Sequence, residues 1–129
     1  MPVHLIDITL PASLVAVSEA RRVLSRYVQV GELADDGRLA LSEAVTNAVE
    51  HTDSDRVRLV ISHDEEAGSL MCAVRDGDAG LSHSAATRLA CDEKEEGRGL
   101  GIIAALSRSW GFSTYGQGKW LWFCIGAKA

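Results

Sequence analysis

Hydrophobic periodicity divides the chain into a short series of elements. Ile6, Ile8 and Leu10 fall on one face of an extended segment from Val3 to Leu10, so the chain opens with a strand that Pro11 ends. Ser13 is placed to cap a helix running through Leu14, Val17, Leu24, Tyr27 and Val28. Gly31 breaks that helix. A second helix spans about Asp35 to His51, with Leu41, Val45, Ala48 and Val49 along one side. Val57, Leu59 and Ile61 alternate in a second strand, and Leu70, Cys72 and Val74 in a third from Ser69 to Asp76. Gly77 to Glu96 is polar and acidic without a clear period, and reads as a loop with room for one short helix. Leu100 to Ser107 reads as a helix. Strands at about Trp110 to Tyr115 and Lys119 to Ile125 flank the turn Gly116-Gln117-Gly118.

Strands that follow one another near the end pair antiparallel, and helices are needed to cover one apolar face of the sheet. The expected fold class is α/β, of the α+β kind. It is a two-layer α/β sandwich whose mixed, mostly antiparallel sheet is covered on one face by helices. No repeat or linker interrupts the 129 residues, which fit a single domain, 1–129.

Composition narrows the functional classes. A hydrophobic fraction of 47% and a charged fraction of 24% are those of a soluble globular protein. No apolar run approaches the roughly 18 residues of a membrane span. Met1 to Leu10 lacks the basic start and apolar stretch of an export signal, so a cytoplasmic location is expected. A net charge of −5 without a Lys/Arg cluster argues against nucleic acid as a partner. Cys72, Cys91 and Cys124 are odd in number and widely spaced. They read as reduced thiols, not as zinc ligands or a disulfide framework.

Three clusters carry candidate chemistry. Glu43, Asn47 and His51 are spaced four apart on the second helix, so they project from nearly one line, opposite the apolar stripe. Charged helix faces are commonly just solvated. Asn is a poor interior helix residue, however, and its place beside Glu hints at a role. The strand end Val74-Arg75-Asp76-Gly77-Asp78-Ala79-Gly80 puts Asp76 on the same face as Leu70, Cys72 and Val74. A half-buried carboxylate there needs a partner, such as an adenine amino group, although Asp and Gly are also ordinary turn residues. Gly97-Arg98-Gly99-Leu100-Gly101 opens a helix, where free N–H groups and the helix dipole favour an anion. No G-K-[ST] follows, so this is not a P-loop, and the acidic loop before it excludes a dinucleotide fingerprint.

The order of the three clusters resembles the GHKL ATPase superfamily, which has a Bergerat-type ATP-binding fold. Leu41-Ser42-Glu43-Ala44-Val45-Thr46-Asn47-Ala48-Val49-Glu50-His51 looks like the N-box of the stand-alone bacterial anti-sigma-factor serine/threonine kinases. Gly97-Arg98-Gly99-Leu100, Trp110-Gly111 and Gly118-Lys119-Trp120-Leu121-Trp122-Phe123 resemble those proteins too. The resemblance runs from about Leu5 to Ile125.

It implies ATP and Mg²⁺ as cofactors, with Glu43 as general base and Asn47 binding Mg²⁺. Asp76 would accept from the adenine amino group, and Gly80 matches the second glycine of the adenine box. Gly97, Gly99 and Gly101 match the phosphate-facing glycines, with Leu100 among them, and Arg98 is placed to add a cation. Asp78 stands where the family has glycine, which bears on nucleotide affinity. His51 recurs in the motif without an assignable role. The acidic stretch Asp92 to Glu96 falls where the family has its ATP lid. Trp110, Trp120 and Trp122 read as sheet core or a dimer face.

The implied function is a protein serine/threonine kinase that binds a sigma factor and phosphorylates its antagonist, with a homodimer as a further possibility. The alternative is a catalytically weak, nucleotide-sensing module that sequesters a regulatory partner. A free-standing histidine-kinase catalytic domain fits less well, since no helix pair carrying a phospho-acceptor histidine precedes these boxes.

Overall fold

The computed structural model describes residues 3–29, 31–52, 54–75, 100–114 and 119–126. Strand β1 (Val3–Pro11) leads into helices α1 (Val15–Tyr27) and α2 (Glu32–His51). The hairpin β2 (Arg56–Asp64) and β3 (Ser69–Arg75) follows. A helix over residues 100–106, here α3, precedes β4 (Ser109–Ser113) and β5 (Trp120–Gly126). The strand order is β1-β2-β3-β5-β4, and every pairing among the described strands is antiparallel. The sandwich expected from the sequence is therefore present, with a sheet that is antiparallel throughout the described residues.

Strand alternation decides which face is covered. Val57, Leu59, Ile61, Leu70, Cys72, Val74, Leu121, Phe123 and Ile125 are buried and share one face, against which α1 and α2 pack. The intervening residues, including Met71, Ala73, Trp120, Trp122 and Cys124, form the other face and are only half-buried. Trp110 instead pairs with Phe123 and packs against the core from the helix side. Cys72 and Cys124 are both free thiols on adjacent strands, but they point to opposite faces. Burial, and secondarily the nearby Cys124, pushes the Cys72 thiol far above its ordinary range, so it is inert.

The helix layer differs from the sequence reading in three respects. Ser13 does not cap α1: the N-cap is Leu14, with no side-chain hydrogen bond, and the Ser13 carbonyl accepts from Ala16 N–H instead. The buried face of α1 is Ala16, Ala20 and Leu24, while Leu14 and Tyr27 are exposed. Small residues let α1 approach its neighbours closely, so the packed row runs through the alanines. Helix α2 starts at Glu32, three residues before the expected position, because Gly31 (φ 100°) turns the chain straight into it.

The buried side of α2 is also wider than its branched residues indicate. Ala34, Gly37, Ala40 and Ala44 are buried together with Leu41, Val45 and Ala48. At Gly37 an added Cβ would lie 2.7 Å from Leu70 Cδ2 and 3.3 Å from Leu24 Cδ2, so α1, α2 and β3 meet there at close range. The consequence for the polar line is direct. Asn47 follows one turn behind buried Ala44 and next to buried Ala48, so it sits at the edge of the packed face and not opposite it.

Candidate functional site

The C-terminal half of α2 lies over the sheet where β3 ends and β5 begins. There Ala44, Asn47, Ala48 and His51 from α2 line a small pocket with Val74 of β3, Phe112 of β4, Leu121 of β5 and Lys119 just before β5. The walls are mostly apolar, and a few polar groups converge on them, as in most small-molecule sites. The alanines are what make the space: at positions 44 and 48 longer side chains would fill it.

Asn47 Oδ1 is buried and has no hydrogen-bond partner among the described residues. A buried carbonyl oxygen without a partner is rare and costs about 1–3 kcal/mol, so its presence on a pocket wall calls for an explanation. An oxygen of this kind suits a hard cation or the water around one. The chemistry of this oxygen is compatible with the Mg²⁺-binding role that the resemblance implies for Asn47.

Glu43 does not share this pocket. It lines a neighbouring groove between α1 and α2 with Arg21, Asp35, Arg38, Leu39 and Ser42. Each four-residue step on a helix turns about 40°, so Glu43 and His51 end up on clearly different sides of Asn47. In that groove Arg38 donates to Asp35 Oδ1 at 2.7 Å and to Ser25 Oγ at 3.4 Å, while Ser42 Oγ donates to the Arg38 carbonyl at 2.7 Å. The groove beside Glu43 is thus lined by two arginines, of which Arg38 is held in place, and it is open to a large partner.

Leu100 and Gly101 stand in α3. Leu100 packs against the core, and among the described residues a Cβ at Gly101 would meet nothing within 4 Å. Asp76, Asp78, Gly80, Gly97, Arg98 and Gly99 lie outside the described residues, as does the expected lid stretch. Among the described residues no three His, Cys, Asp or Glu side chains group closely enough to hold a metal.

The sequence reading missed Phe112 and Lys119 as pocket residues. Their signal was present: alternation back from Leu121 puts Lys119 on the helix side, and antiparallel pairing puts Phe112 opposite Leu121. Among the described residues no helix is long and apolar enough to cross a membrane.

The histidine kinase-like ATPase domain model matches residues 10–125. A crystal structure of the RsbU and RsbW domains of Rv1364c from Mycobacterium tuberculosis superposes with a TM-score of 0.67 at 19% identity. The match covers 98% of this chain and 33% of that one, so the chain spans a third of that protein's length. At this identity the likeness establishes the fold. No curated protein matches the sequence.

Proposed function

The chain belongs to the histidine kinase-like ATPase domain family, and from that premise we propose that it is an ATP-dependent regulatory protein of the anti-sigma-factor serine/threonine kinase type. The observation that carries the reading is the orphaned, buried Asn47 Oδ1 on the wall of an apolar pocket. Asn47 holds Mg²⁺, and Ala44, Ala48, Val74 and Leu121 supply the apolar floor for a nucleotide. Asp76, Asp78, Gly80 and the run Gly97, Arg98, Gly99, Leu100, Gly101 complete the nucleotide site in this reading. Mg²⁺, when bound, neutralises charge on the transferring phosphoryl group.

Glu43 takes the proton of an incoming serine or threonine hydroxyl. Its open groove, with Arg21 and Arg38, leaves room for that hydroxyl to arrive on a protein. The N-box resemblance points to a protein partner, and a sigma factor with its antagonist is the pair proposed, in the cytoplasm. A homodimer is compatible with the half-buried outer face of the sheet.

The separation of Glu43 from the Asn47 pocket favours a second reading, a nucleotide-sensing module that holds its partner without efficient catalysis. ATP turnover decides between them. Under the kinase reading, Glu43→Ala lowers turnover by about 10²-fold or more and leaves ATP affinity nearly unchanged. Equal turnover in wild type and variant removes Glu43 as the base and leaves the sensing module.

A further inference from the structure

Lys119 and Phe112 stand together at the Asn47 pocket. The Lys119 ammonium lies 4.6 Å from the centroid of the Phe112 ring. Both are on the helix-facing side: Phe112 pairs with Leu121, and Lys119 continues the row of Leu121, Phe123 and Ile125. Phe112 is 38% exposed, unusually open for an aromatic residue on this side of the sheet. The space that the pocket residues enclose is about 10 Å³, room for a single water molecule. A purine is larger than this space, so seating one here requires lining side chains to move.

The two residues have complementary chemistry for a nucleotide. The face of a phenyl ring attracts an ammonium, and it also stacks a nucleobase. An ammonium on a four-carbon stem is a mobile point charge that pairs well with phosphate oxygens. Each partner of the present contact is therefore what a different part of a nucleotide requires. Resting on the reading of this pocket as an ATP site, we propose that Lys119 and Phe112 form a cation–π latch over the nucleotide pocket. On binding, the purine replaces the ammonium at the Phe112 ring, and Lys119 swings onto the phosphate chain. Phe112 then contributes to every adenine ligand, whereas Lys119 discriminates in favour of phosphorylated ones.

The test is calorimetric titration of ATP, ADP and adenosine, with Mg²⁺, into wild type, Lys119→Met, Lys119→Arg and Phe112→Leu, each first checked for a native circular dichroism spectrum. The latch predicts that Lys119→Met weakens ATP and ADP by about 10-fold or more and leaves adenosine within about twofold. Lys119→Arg should recover most of the loss, and Phe112→Leu should weaken all three ligands alike. Equal losses for ATP and adenosine in Lys119→Met would assign the lysine a packing role and overturn the latch. Unchanged ATP affinity in Lys119→Met, with binding still lost in Asn47→Ala, would overturn the latch and leave the ATP site standing. Wild type that binds none of the three would overturn both.

Discussion

Replacing Asn47 by alanine should make the unliganded protein more stable while weakening its response to nucleotide. The Asn47 carbonyl oxygen is buried and accepts no hydrogen bond from the described residues, a burden of about 1–3 kcal/mol in the unliganded state. Asn is also worse than Ala inside a helix by about 0.6 kcal/mol, and position 47 is well inside α2. Against these gains stands the packing lost with the side-chain amide. Because the residue is only half-buried, that loss is about 1 kcal/mol. The balance is a gain of about 1 kcal/mol, which for a domain of this size raises Tm by about 3–5 °C. Thermal unfolding followed by circular dichroism, with and without Mg·ATP, reads both effects. Nucleotide at about 100 times the wild-type Kd should add about 2.7 kcal/mol to wild type and, with affinity weakened 10-fold or more, no more than about 1.4 kcal/mol to the variant, so their order reverses. A fall of several degrees in the unliganded variant would refute the reasoning. It would mean that the oxygen is already satisfied and is not held ready for a ligand.

Two further predictions concern the frame that holds the pocket. Gly126 has φ +104°, and a Cβ there would collide with the Gly68 carbonyl oxygen at the β2–β3 turn. Gly126→Ala should therefore cost about 2–4 kcal/mol in urea unfolding, and a cost below about 1 kcal/mol would show that the turn yields easily. Arg58 donates to both carboxylate oxygens of Asp7, at 2.9 and 2.6 Å. This hydrogen bonding outweighs desolvation and holds the Asp7 carboxyl below its ordinary value. The stabilisation is present above the unfolded value of about 4 and is lost as pH falls through the lower folded value. Asp7→Asn should flatten the acid limb of the stability profile below about pH 4 and change little at pH 7, since the pair is exposed. An unchanged acid limb would show that the pair contributes nothing measurable.

Strands were the most legible part of the sequence, for a physical reason. In β2 and β3 the alternation of Val57, Leu59 and Ile61 and of Leu70, Cys72 and Val74 is strict, and a sheet covered on one face needs nothing more to define its core side. Helices were legible in position but not in facing. Both α1 and α2 pack through alanine and glycine, whose small side chains carry little hydrophobic signal yet permit close approach. Rows such as 16–20–24 and 40–44–48 therefore escape a search for branched residues. The same blind spot misplaced the polar line of α2. Asn47 reads as solvent-facing only if Ala44 and Ala48 are ignored. His63 shows the converse limit: it occupies a core-row position in β2, 7% exposed, and its polarity hides it. Of the pocket's lining residues, Asn47 was singled out by its place in the motif. Phe112 and Lys119 were not: alternation from Leu121 gives the side of Lys119, but setting Phe112 opposite Leu121 needs the β4–β5 register, which no local pattern supplies.

The most direct test of the account is calorimetric titration of ATP with Mg²⁺ into wild type and Asn47→Ala. The account predicts micromolar binding by the wild type, weakened by at least about 10-fold when Mg²⁺ is withheld or Asn47 is replaced. No binding by the wild type up to millimolar ATP, or equal affinity in the two proteins, would contradict it.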